Sequence, residues 1–181
     1  MRKLISWGGW GILSLLLVQA TWAADLEWLD KSTIVVDDVF QLIKPDPKWD
    51  TQKVKQKEDP YSPVKWILHQ AGRNPTIRLK YATEENGLMG KTAHLFAEQV
   101  KTMYKGKGVF IQSVEKKVIN GRHVALMHGM NPGKDERYLI GVWRHQNKGF
   151  ILECSSKDED FNALLPQFKG TIETARILKE R

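Results

Sequence analysis

The chain has 181 residues, with 28 lysines and arginines against 21 acidic side chains and a formal net charge of +7. That length suits one domain with a real hydrophobic core, and the basic excess is too modest and too dispersed for a nucleic-acid-binding polycation. Cys154 stands alone, which excludes an internal disulfide and leaves stability to packing.

Arg2 and Lys3 precede an apolar run from Trp10 to Val18 and then the small-residue stretch Gln19 to Ala24, the pattern of a secretory signal peptide. Gly8, Gly9, Gly11, Ser14 and Gln19 interrupt a run shorter than the roughly 20 apolar residues a spanning helix needs. No stable membrane span is therefore expected after cleavage, and the expected location is periplasmic or secreted. Ala20 and Ala23 both satisfy the small-x-small rule for the cut. Cleavage after Ala23 leaves 158 residues with a net charge of +5. Residues 24–38 read as an N-terminal extension and 39–181 as a single domain.

Val39 to Ile43 reads as a strand that meets Pro45-Asp46-Pro47-Lys48 and an anchoring Trp49. The polar stretch Asp50 to Ser62, ended by Pro60 and Pro63, reads as a loop. It holds the tightest basic cluster of the chain, Lys53, Lys55 and Lys57, followed by Tyr61. From Pro63 the alternation of Val64, Trp66 and Leu68 against Lys65, Ile67 and His69 gives a strand, and Thr76 to Thr83 a second that completes a hairpin.

The period then changes. Met89, Ala93, Phe96, Val100 and Met103 fall on one face of a helix expected over about Gly87 to Lys105, with Gly106 as its left-handed stop. Val109 to Ile119 and Arg122 to Met130 flank Asn120-Gly121, a type I′ hairpin signal. Counting outward from that turn pairs Val118 with His123, Lys116 with Ala125 and Val114 with Met127 on one face. Lys117 with Val124, Glu115 with Leu126 and Ser113 with His128 lie on the other. A further antiparallel pair, Arg137 to Arg144 and Phe150 to Ser155, follows. Ser156-Lys157-Asp158-Glu159 has the spacing of a capping box. Behind it Phe161, Leu164, Leu165, Phe168, Ile172 and Ala175 mark a helical stripe expected to run to Lys179, kinked or divided at Pro166.

None of the familiar catalytic patterns is present. Gly90-Lys91-Thr92 has Glu85 where a phosphate loop requires glycine. The five histidines show neither HExxH nor His-x-x-x-His spacing, and the hairpin register sends His123 and His128 to opposite faces. Cys154 lies in a strand without an identifiable base and reads as a buried structural thiol. Asp37-Asp38 and Asp158-Glu159-Asp160 lack calcium-loop spacing. No catalytic, metal or cofactor residue is expected. Trp28, Trp49, Trp66 and Trp143 read chiefly as core residues, Trp28 being the one most open to solvent.

The order of strand, Pro-x-x-x-Trp, hairpin, amphipathic helix, four-stranded meander and final helix resembles the PsbP-like fold of photosystem II extrinsic proteins and bacterial DcrB-type envelope proteins. The local matches are Phe40 to Pro45 running into Trp49, Asn120-Gly121 at a hairpin tip, and Phe161 to Ile172 with Pro166 and Phe168. Ala175-Arg176-Ile177 stands where the family's last helix closes with aromatic residues. The resemblance implies an α+β fold, an antiparallel β-sheet with helices packed on its faces in a PsbP-like α/β/α sandwich. It also implies an exported, non-enzymatic protein that binds or helps assemble another envelope protein. A small-ligand carrier with an aromatic pocket and a hydrolase are the alternatives. The expected partner contact is the Lys53 to Ser62 segment, with Lys53, Lys55 and Lys57 steering an acidic surface and Tyr61 as anchor. Nothing in the sequence sets the oligomeric state.

Overall fold

Phe40 to Ile43 forms β2, in which Phe40 and Leu42 are buried and Gln41 and Ile43 half-buried, the two-residue period of a half-covered strand. Before it lies β1, Thr33–Val36, whose Ile34 joins the same core. The computed structural model describes residues 33–36, 40–46, 48–53, 64–70, 75–83 and 92–178. The signal segment 1–23, Trp28, Met89, Gly90 and Lys91 lie outside the described residues.

After β2 the chain turns sharply. The Lys48 amide donates to Asp46 Oδ1 at 2.8 Å and the Trp49 amide to the Asp46 carbonyl at 3.0 Å, an aspartate-closed turn. Trp49 is fully buried, and its Nε1 donates to Gln167 Oε1 at 3.1 Å. The expected loop begins later than Asp50, because Trp49–Lys53 is strand β3, paired antiparallel with β4, Val64–Gln70. β3 ends the sheet, and an edge strand held by backbone bonds on one side needs no apolar alternation to form. β4 and β5, Thr76–Thr83, make the expected hairpin.

Helix α1 runs over Ala93–Gly106. Thr92 caps it, its Oγ1 accepting from the Leu95 amide at 3.2 Å. Its buried face is Phe96, Ala97, Val100 and Tyr104, while Ala93 is exposed and Met103 half-buried. The expected left-handed stop at Gly106 is displaced to Gly108, whose φ is +78°. The Gly108 amide donates to the Lys105 carbonyl and the Val109 amide to the Tyr104 carbonyl. This Schellman closure places the positive φ two residues beyond the last helical residue.

Four long strands follow, β6 (Phe110–Ile119), β7 (Arg122–Asn131), β8 (Glu136–His145) and β9 (Lys148–Lys157). The β6–β7 register is the one counted from the turn, from Val118 opposite His123 to Ser113 opposite His128. Asn120 and Gly121 have φ of 50° and 74°, the two left-handed residues of a type I′ turn. The expected capping box does not form. Ser156 remains in β9 with its hydroxyl on the Lys157 carbonyl, and Lys157 is an N-cap without a side-chain bond. Pairing of Ser156 with Arg137 across the sheet holds it in the strand. Helix α2, Asp158–Thr174, passes through Pro166 as one helix and ends before Lys179. Arg176 and Ile177 leave it as β10, antiparallel to β2 at Gln41 and Phe40. The backbone partners offered by β2 outweigh continued helical propensity in a segment that the stripe alone extends too far.

All seven strands of the main sheet are antiparallel neighbours, in the order β3-β4-β5-β9-β8-β7-β6, and a small sheet has the order β1-β2-β10. On one face α2 and β2 bury Trp49, Leu79, Trp143, Phe150, Leu152, Cys154, Phe161 and Phe168. Phe40 stacks on Phe150 at 4.9 Å and meets Trp143 edge-on at 5.7 Å. On the other face α1 covers Met127, Tyr138, Ile140, Val142 and Ile151. The fold is α+β, a sheet with a helix on each face. Among the described residues no helix is long and apolar enough to cross a membrane.

Candidate binding groove

Among the described residues, a groove of about 360 Å³ lies beside helix α1. Its walls are Ala93, His94, Ala97 and Glu98 of α1 against Val114 and Lys116 of β6, with His123 and Ala125 of β7 and Val142 of β8 below. The register explains the chemistry of the floor. Val114, Lys116, His123 and Ala125 share one face because Lys116 faces Ala125 across the ladder and His123 lies two pairs further out. Small alanines on the helix and on β7 leave the space open. Val114 is 41% exposed and Val118, two pairs beyond Lys116, is 64% exposed.

His94, Lys116 and His123 have no hydrogen bond or ion pair among the described residues, whereas Glu98 Oε2 lies 3.8 Å from Lys101 Nζ. The groove therefore combines an apolar floor with a rim of exposed donors, Lys116, His94 and His123, that have no protein acceptor among the described residues. His94 and His123, apart in sequence, come to one cavity. His128 is on the opposite face as expected, and burial is the main influence lowering its pKa.

A second polar cluster lies deeper on the same side of the sheet. Glu153, 3% exposed, accepts from Lys80 Nζ and from Tyr104 Oη, the latter at 2.5 Å, on one carboxylate oxygen. Its other oxygen accepts from Arg78 Nη1 at 3.0 Å. Lys80, 5% exposed, also donates to Tyr104 Oη at 3.1 Å. Burial acts to raise the carboxyl pKa, but the charge and hydrogen bond of Lys80 and the bond from Tyr104 overcome it and hold Glu153 at about 2. Burial lowers Lys80 against the pull of Glu153 and raises the Tyr104 phenol well above its ordinary range. Every partner is engaged within the cluster, which leaves no free base or nucleophile; it ties β5, β9 and α1 together.

Lys53 ends β3 opposite Trp66, and Lys55, Lys57 and Tyr61 lie outside the described residues. Cys154 is fully buried, and burial pushes its thiol pKa well up. Trp49 and Trp143 are core residues. Among the described residues no group of three or more metal-ligating side chains converges. The sequence reading missed the groove because its walls meet only when α1 settles on β7 and β8. It missed the buried cluster because Arg78 and Lys80 on β5 face Glu153 only through the β5–β9 pairing.

Compared with solved structures, the chain superposes on the solution structure of cyanobacterial PsbP (CyanoP) from Synechocystis sp. with a TM-score of 0.59 and 13% identity. The match covers 96% of this chain and 98% of that one. The fold is PsbP-like. A crystal structure of a Pseudomonas aeruginosa protein of unknown function also aligns, at 14% identity and a TM-score of 0.46, over 82% of this chain and 96% of that one. No protein-family model matches the sequence, and no curated protein does. In this PsbP-like chain the two sheet faces are occupied by α1 and α2, and the groove lies between the first turns of α1 and strands β6, β7 and β8.

Proposed function

We propose that this chain is an exported, non-catalytic envelope protein that binds another protein, and that the partner adds an extended segment to the edge of β6 that no described strand pairs. The observation that carries the reading is β6 itself. It is ten residues long and ends the sheet, and it displays Val114, Val118 and Phe110, the last 62% exposed. The irregularity between Ile111 and Ser113 turns Phe110 to the opposite face from the two valines. Long edges with apolar side chains on both faces invite strand addition, and main-chain bonds supply affinity while the alternate side chains supply specificity. The signal-peptide pattern of Arg2 to Ala24 supports export. The PsbP-like fold is compatible with a binding role and carries no function by itself.

The test is a photo-crosslinking residue placed at Val118 in the living cell, with Lys169 on α2 as control position. A discrete protein adduct from position 118 and none from position 169 is expected. No adduct from position 118, or an equal adduct from position 169, would overturn this assignment. N-terminal sequencing of the same material should begin at Thr21 or Ala24; a retained Met1 would contradict export by cleavage.

A further inference from the structure

The groove beside α1 shares Val114 with the edge strand but has its own chemistry. We propose that it is a binding site for a small amphiphilic carboxylate, an acyl or aromatic acid whose apolar body lies on Ala97, Val114, Ala125 and Val142 and whose carboxylate is met by Lys116, His94 and His123. Size is the first argument, because about 360 Å³ falls in the range of small-molecule sites and is too narrow for a folded partner. Polarity is the second. The floor offers side chains without hydrogen-bonding groups, so a bare inorganic anion would leave it wet and gain nothing from it.

Charge sign is the third argument. Among the described residues Glu98 is the acidic one lining the groove, and it already faces Lys101 along the helix at 3.8 Å. Glu115, next to Lys116 in sequence, points to the other sheet face and pairs with Lys117 at 3.6 Å. Lys116, His94 and His123 are thus left with donor groups and no acceptor among the described residues. A carboxylate can accept from the ammonium on one oxygen and from an imidazole N–H on the other. An amine would meet repulsion from Lys116, and an alcohol oxygen can accept two hydrogen bonds but brings no negative charge to the ammonium.

The experiment is a titration of the isotopically labelled protein, followed by backbone amide NMR, with sodium octanoate as probe and 1-octanol, octylammonium and acetate as comparisons. Octanoate should move the amides of Ala93 to Ala97, Val114 to Lys116 and His123 to Ala125 saturably, with a dissociation constant of about 1 mM for so small a ligand. Octanol, octylammonium and acetate should each bind at least about tenfold more weakly, the factor expected from losing one charge-assisted bond or the apolar contact. Lys116→Gln with His123→Gln should weaken octanoate about tenfold while leaving octanol binding unchanged. Equal binding of octanol would make the rim irrelevant, and equal binding of acetate would make the floor so; either result overturns the proposal. So would amide shifts that follow protein concentration without added ligand, which would place a second copy in the groove. The comparison among ligands uses the unaltered protein and needs no variant to fold. No partner protein is involved, so failure here leaves the β6 reading standing, and failure of the crosslink leaves this one.

Discussion

Glu153 shows how one buried charge is made tolerable. Its carboxylate receives Lys80, Tyr104 and Arg78 at once, so the desolvation cost is met by bonds on both oxygens. Breaking the arrangement on one side is costly because Lys80 stays buried without its anion. Glu153→Gln should destabilise the fold by about 3–5 kcal/mol in chemical denaturation. The pH dependence follows from the depressed pKa. With Glu153 at about 2 in the folded chain against an ordinary 4.5, its ionised form contributes stability that is fully present above about 4.5 and is lost as pH falls towards about 2. Unfolding curves taken across that window should steepen in their pH dependence for the native chain and flatten in Glu153→Gln. Equal slopes would show that the carboxylate is not held in its ionised form by Lys80. In sequence nothing marks Glu153, since it sits in an apolar run and its partners are more than 45 residues away.

At the scale of elements, the β6–β7 hairpin was legible in full because a two-residue turn propagates its register outward one pair at a time. The turn also has a tertiary task that no local rule shows. Asn120 Nδ2 donates to the Ala175 carbonyl at 2.8 Å and to the Glu173 carbonyl at 3.1 Å, capping the open end of α2. Two effects separate by mutation. Asn120→Gly keeps the positive φ and loses the clamp, whereas Asn120→Ala loses both, so the alanine variant should be less stable than the glycine variant by about 1 kcal/mol. A glycine variant as stable as the native chain would show that the clamp contributes nothing. The α2 stripe was legible by its period, and Phe168 is its centre, fully buried against Trp49 and Phe161 at 6.3 and 5.9 Å. Phe168→Ala should cost about 3–5 kcal/mol in midpoint denaturation, while Lys169→Ala on the exposed side should cost under about 0.5 kcal/mol. Helix ends were less legible. Ser156 had the spacing of a cap but is held in β9 by Arg137, and the last turn of the expected helix was taken by β10.

For the whole molecule, both cores share one sheet, since α1 packs on the face opposite α2 and the strands between them are common to both. Loss of either helix uncovers the same strands, so thermal unfolding should be a single transition with equal calorimetric and van't Hoff enthalpies; a second heat peak would show that the cores melt separately. By itself the sequence determined what depends on neighbours along the chain. The α+β class, the Asn120-Gly121 register, the two helical stripes, the buried Cys154 and the PsbP-like order of elements all follow from period, turn chemistry and composition, which act over a few residues. Tertiary structure alone decided what depends on pairing across the sheet and on where a helix comes to rest. The strand β3, the shift of the helix stop to Gly108, the Lys80–Glu153–Tyr104 cluster and the meeting of His94, Lys116 and His123 belong to this second group. Strand pairing and helix docking bring together residues far apart in the chain, and their energy is shared among many contacts that no local pattern encodes.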